Sequence, residues 1–199
     1  MKAIKQTVRK YYKYVDGSWT RPNLTANGVM GGSSYAASAS STWSSNYAYR
    51  AFDGITTAGN CWESSASPST LTFYSPVPIK ATSFTFRNYY ANTSSTNTPN
   101  TVVISGSNDN STWTQLKSYT NTNFTANATW TVNITNNNYY KYYRFSVSAG
   151  GAYMFIVELD ITATQRIVQE GSASDYDFYE DVDVCKVVKA GNVYKAINL

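Results

Sequence analysis

A chain of 199 residues has room for one full core plus arms, and its complete lack of His excludes mechanisms that need an imidazole base or a His metal ligand. Lys and Arg number 16 against 12 Asp and Glu, a net charge of +4, with basic residues gathered at Lys2, Lys5, Arg9, Lys10, Lys13 and Arg21 and scattered singly between residues 23 and 164. Aromatics make up 16%, which argues against disorder, but no basic stripe interleaves with them, which argues against a nucleic-acid partner.

Residues 1–28 read as a basic arm. The spacing of Ile4, Val8, Tyr12 and Val15 fits one face of a short helix, so residues 2–12 stay open between helix and strand. Asp16-Gly17 before Ser18-Trp19-Thr20 predicts a hairpin, because Asp-Gly supplies the positive φ angles of a tight turn. Met1 to Val15 lacks the apolar run of a signal peptide, and no stretch approaches the ~20 apolar residues of a membrane span. Synthesis in the cytoplasm, without export by the common route and without membrane insertion, is the expectation.

Residues 29–164 read as a run of short strands. Leu71-Thr72-Phe73 leads to Pro76 and Pro78, which are expected to break or bound a strand. Ser83 to Arg87, Thr129 to Ile134 and Tyr143 to Val147 alternate with period two. Val157, Leu159 and Ile161 share one face of the last strand, leaving Glu158 and Asp160 on the other. Many strands with polar loops between them point to an all-β sandwich or barrel.

Residues 165–199 form an acidic arm. Asp175, Asp177, Glu180, Asp181 and Asp183 interleave with Tyr176, Phe178, Tyr179 and Val182, and two strand-like runs flank the hairpin signal Ala190-Gly191-Asn192. Such a tail can pair with the basic head within one chain or between neighbours, or both arms can be solvated separately. Cys61 and Cys185 make neither a disulfide framework nor a zinc site and read as two buried or semi-buried thiols.

Three strings carry the most information: Ala51-Phe52-Asp53-Gly54, Ser107-Asn108-Asp109-Asn110-Ser111-Thr112-Trp113, and Glu158-Leu159-Asp160-Ile161. Each joins a core-seeking residue to a carboxylate or amide in a turn. In this order and at these separations they resemble the discoidin, or coagulation-factor type C, domain (galactose-binding-like), over roughly residues 29–164. The resemblance implies a jelly-roll β-sandwich with strand-rich N- and C-terminal arms, and a protein that binds and does not catalyse.

The same resemblance implies a structural calcium ion. Its ligands would be Asp53, Thr56 or Thr57, and Glu158, with carbonyls of the loop between residues 50 and 60 completing the six to eight oxygens that a hard cation takes. Ile55 departs from the family, which often has a polar residue there. Trp62 and Trp113 are expected in the core. In related sugar-binding modules a loop aromatic stacks on the saccharide. The matching set here is Arg87, Asn88, Tyr89 and Tyr153, with Glu63 nearby, which together supply flat rings for the pyranose C–H face and polar groups for its hydroxyls. No spacing identifies a pair of carboxylates flanking a cleft, as a glycosidase requires, and no nucleophile elbow or phosphate loop is present.

A sugar-binding module with no signal peptide and strand-rich arms also resembles the surface-exposed structural proteins of tailed bacteriophages. This implies a virion tail, head-fibre or decoration protein for host-surface glycan adhesion. Its arms would attach it to other virion proteins or to sister subunits of a homo-oligomer. The alternatives are a bacterial carbohydrate-binding module, and a virion cement protein that binds only other virion proteins.

Overall fold

The computed structural model describes residues 2–91, 94–189 and 192–198, with side chains over 5–91 and 94–184. Among these, twelve strands and one 3-10 turn follow in order. They are β1 (Lys2–Ser18), β2 (Ala36–Ala39), the turn Ala48–Phe52, β3 (Trp62–Ser64), β4 (Ser69–Arg87), β5 (Thr101–Ser107) and β6 (Thr114–Thr120), then β7 (Thr129–Asn133), β8 (Tyr140–Ser148), β9 (Met154–Ile156), β10 (Glu158–Glu170), β11 (Phe178–Lys189) and β12 (Asn192–Asn198). They divide into two compact units, residues 18–165 and residues 1–17 with 166–199, the boundary falling inside β10.

The larger unit is the expected all-β sandwich, and β4 organises it. Ser69–Tyr74 pairs with β2 and β8, whereas the stretch from Ile79 to Arg87 pairs with β7 and β10. The register shift between Tyr74 and Ile79 holds Pro76 and Pro78, which have no N–H to give to a ladder. The expectation that these prolines break or bound a strand holds for the ladder and not for the strand, which runs on to Arg87. They mark an irregularity in the β4–β8 ladder, which resumes at Ile79 opposite Tyr140, and beyond it β4 gains β10 and β7 as partners. Beyond β8 the sheet continues through β5 to β6, and β3 and β9 form a separate pair.

Period-two alternation sends Leu71, Phe73, Phe84 and Phe86 inward, all at most 1% exposed. Phe84 meets Tyr143 and Phe145 at centroid distances of 5.5 and 5.0 Å, and Phe86 stacks on Trp130 at 4.2 Å. Each such ring contributes about 1.5–3 kcal/mol through its burial. The buried Tyr143 hydroxyl donates to the Ile79 carbonyl at 2.7 Å and accepts from the Ala81 N–H at 3.0 Å, so no polar atom is stranded there.

Trp62 is fully buried, as expected, but Trp113 is not a core residue. It is half-buried beside a separate cluster of Ala36, Tyr74 and Tyr142, with the Arg144 guanidinium 4.0 Å above its ring. The turn before it is built by Asp109, whose Oδ1 accepts from the N–H groups of Ser111 and Thr112 at 2.8 and 2.7 Å and holds its carboxyl well below the usual range.

The sandwich also begins earlier than the boundary at residue 28. Trp19 packs against Tyr35 and Phe73, Leu24 is buried, and the Leu24 N–H donates to the Phe52 carbonyl at 2.9 Å. These contacts place residues 18–28 with the core, not with an arm.

In the smaller unit β1 is one strand, which settles residues 2–12 against a helix. Asp16-Gly17 lies within it and forms no hairpin. A Cβ on Gly17 would stand 2.8 Å from the Ile167 side chain, so glycine here serves a close approach. β1 runs antiparallel to β11, with Arg9 opposite Asp181 and Thr7 opposite Asp183. The basic head and acidic tail thus pair within one chain. Lys5 meets Asp183 at 2.7 Å, Arg9 grips Asp181 at 2.8 and 3.0 Å, and Lys13 meets Asp175 at 2.6 Å. All are exposed, so they set register more than they add stability. β11 and β12 form the expected hairpin, with Lys189 opposite Asn192, although Ala190, Gly191 and the Cys185 side chain lie outside the described residues.

Candidate functional site

Two groups of polar and aromatic residues occupy the sandwich's loop regions. The first is centred on Asp53. The short turn Ala48–Phe52 buries Ala51 and Phe52 and delivers Asp53 and Gly54 to the loop. Gly54 has φ +75°, and a Cβ on it would overlap the Asn23 amide. Asp53 Oδ1 accepts from the Ile55 N–H at 2.8 Å, and the Asn60 amide donates to both Asp53 oxygens at 3.1 and 3.0 Å and to the Ile55 carbonyl at 3.1 Å.

Glu158, at the start of β10, is buried beside this loop. Its Oε2 accepts from the Gly54 N–H at 3.0 Å and its Oε1 from Arg21 Nη2. The Arg21 side chain is only 6% exposed and also donates to the carbonyls of Phe52 and Pro22 and to Asp160. Burial pushes the Glu158 carboxyl up, to about 7, against the pull of Arg21, and the Asp160 and Asp53 carboxylates add to the rise.

This arrangement departs from the expected calcium shell. Both Glu158 oxygens and the Phe52 carbonyl already face N–H donors, and one of those donors carries a full positive charge. Thr56 and Thr57 are exposed. Among the described residues no three His, Cys, Asp or Glu side chains converge as metal ligands do. The residues present do not suit a divalent cation at Glu158.

The second group lies around β3 and β9, where Glu63 pairs with Phe155. Glu63 is buried, and burial raises its carboxyl while the Asn46 amide, 2.6 Å from Oε2, opposes the rise. Arg50 in turn donates to Asn46 Oδ1 at 2.9 Å, fixing the amide so that its nitrogen faces Glu63. The Trp43 backbone N–H donates to the Glu63 backbone carbonyl at 2.8 Å, which ties the Trp43 segment to β3. The rings of Trp43 and Tyr153 meet edge to face at 5.0 Å and 82°, with 46% and 38% of these residues exposed. Tyr89 stacks on Phe155 at 4.7 Å and tilts against Tyr90 at 4.5 Å. Cys61, close by, is buried, and burial pushes its thiol up to about 12.

The sugar-binding residues expected from sequence therefore divide. Glu63, Tyr89 and Tyr153 attach to one framework through β3, β9 and Trp43. Asn88 is a correction. It is 1% exposed, its Nδ2 donates to the carbonyls of Asn123 and Thr125, and its Oδ1 accepts from Trp130 Nε1 at 2.8 Å. With every amide atom used, it holds a loop and has nothing to offer a ligand. Arg87 alternates with the inward-facing Phe86 along β4, and its guanidinium donates to the Asn127 carbonyl at 3.0 Å. Trp43, Asn46 and Arg50 were missed. The only sequence signal was a Trp amid Ser and Asn in an aperiodic stretch.

No protein-family model matches the sequence, and no curated protein matches it either. Solved structures do match the sandwich. A family 32 carbohydrate-binding module of Clostridium perfringens, in complex with GalNAc-β-1,3-galactose, superposes with a TM-score of 0.56 at 14% identity, covering 65% of this chain and 95% of the module. The fold is that of the discoidin-like, F5/8 type C domains. A second such module, from C. perfringens NanJ in complex with galactose, gives 0.55 at 19% identity over 64% of this chain and 92% of its own. An F5/8 type C domain from Bacteroides fragilis gives 0.55 at 16% identity over 66% and 92%.

Proposed function

We propose that this discoidin-like sandwich binds a saccharide at the loop group carrying Trp43, Tyr153 and Glu63, and that it serves adhesion and not catalysis. The observation that supports this most is the exposed edge-to-face pair of Trp43 and Tyr153, whose Trp43 backbone is hydrogen-bonded to that of the buried Glu63. An indole or phenol face suits the C–H face of a pyranose, and Glu63 Oε1 with the Asn46–Arg50 pair supplies directional partners for hydroxyls. The similar structures support the same reading, since two are carbohydrate-binding modules holding galactose or a GalNAc-terminated disaccharide. Catalysis lacks a second free carboxylate in this group, because Asp53 and Glu158 are engaged in the other.

In its finer form the proposal places the chain on a bacteriophage virion, as a tail, head-fibre or decoration protein that adheres to host glycans. The strand-rich smaller unit, outside the sandwich, would then attach the chain to other virion proteins or to sister subunits. A second reading, a bacterial carbohydrate-binding module, is favoured by the bacterial origin of the similar modules.

A glycan array probed with the whole chain tests the binding proposal: retention on galactose- or GalNAc-terminated glycans is expected, and no retention on any glycan overturns it. Immuno-electron microscopy of purified particles separates the two settings. Labelling of the particle surface supports the virion, and its absence supports the bacterial module.

A further inference from the structure

We propose that Arg21 is the built-in cation of the Asp53 loop, so that this sandwich joins the loop to its last strand without calcium. The guanidinium joins its own segment to two others distant in sequence. Nη1 donates to the carbonyls of Pro22 and Phe52, Nη2 donates to Glu158 Oε1 and Asp160 Oδ1, and Nε donates to Asp160 Oδ1 at 3.3 Å. All three nitrogens are therefore in use, in a side chain that is 6% exposed and meets a Glu158 side chain that is 7% exposed.

A planar fork suits this task. Its donors diverge in one plane toward separate acceptors, whereas a hard divalent cation needs six to eight oxygens converging on one point. Here the oxygens do not converge. Glu158 Oε2 turns to the Gly54 N–H, and both Asp53 oxygens turn to the Asn60 amide. A cation near Glu158 Oε1 would also lie beside the guanidinium, a like-charge contact in a site with little water to screen it. The positive charge that the resemblance assigns to an ion is supplied by the chain itself, from a residue in the segment that opens the sandwich.

Thermal melting of the whole chain at pH 8 tests this, with millimolar calcium and with a chelator. The wild-type midpoint is expected to be the same in both, and calorimetric titration with calcium chloride to give no binding heat. Arg21→Met is expected to melt about 10 °C lower, because it leaves a buried carboxylate unpaired. Arg21→Lys, which keeps the charge but loses the fork, is expected to recover only a small part of that loss. Should Arg21→Met fail to fold, the wild-type arms still decide: a midpoint that rises with calcium and falls with chelator overturns the proposal. So does an Arg21→Met protein that melts with the wild type.

Discussion

Arg21 and Glu158 stand 137 residues apart in sequence and meet as an ion pair in which neither side chain is more than 7% exposed. The pair closes the sandwich, tying the segment that enters it to the strand that leaves it. Exposed pairs such as Lys5–Asp183 gain little, because water and salt screen them, whereas breaking a buried pair leaves a charge with no solvent to receive it.

The same burial gives the protein a pH dependence of definite sign. Glu158 has its carboxyl raised from 4.5 to about 7, so between these values the folded chain holds a proton that the unfolded chain has lost. The stability contributed is fully present below about 4.5 and is lost as the pH rises through about 7, on the order of 3 kcal/mol in all. Denaturant melts between pH 4.5 and 8 are expected to show stability falling with pH in the wild type, and a flatter profile in Glu158→Gln. A wild-type profile that rises across this window contradicts the assignment.

Gly54 is expected to be the least replaceable residue of the Asp53 loop. Its φ of +75° is strained for any side chain, and a Cβ would overlap the Asn23 amide. Gly54→Ala should cost about 1–3 kcal/mol in chemical denaturation. By comparison Gly59→Ala, at φ +83° but with nothing within 4 Å, should cost only the backbone part.

Asn88 gives a test that separates structure from recognition. Asn88→Ala removes three hydrogen bonds and strands Trp130 Nε1, with a loss of roughly 2–3 kcal/mol expected in denaturant midpoints. Saccharide affinity of the folded fraction is expected to stay within a factor of about two. A stable Asn88→Ala protein that no longer binds sugar would return Asn88 to the binding site.

Much of this was legible in the sequence, because it depended on local chemistry. The alternation that buries Phe84 and Phe86 announces a strand, and Asp-Gly at 53–54 announces a turn. Asp16-Gly17 offers the same dipeptide and misleads, since a neighbouring strand carrying Ile167 dictates the glycine there. Pro76 and Pro78 read as a break or an end because proline interrupts ladders. The local rule does not say whether the strand resumes, as it does here with β8 again at Ile79 and with β10 and β7 added. Arg21 read as part of a basic arm, because the acceptors that bury it lie 31 and 137 residues away. Asn88, next to Arg87 and Tyr89, looked like a loop ligand, yet its amide is consumed by backbone carbonyls from 35 and 37 residues further on. Trp43 sits in a stretch with no periodicity, so nothing local distinguished an exposed platform from a buried indole.

The most direct test of the binding proposal is calorimetric titration of the best array glycan into wild type, Trp43→Ala, Tyr153→Ala and Arg87→Ala. Loss of a stacking ring is expected to weaken binding about tenfold or more in Trp43→Ala and Tyr153→Ala, with Arg87→Ala close to wild type. Unchanged affinity in both aromatic variants, or a loss confined to Arg87→Ala, would contradict it.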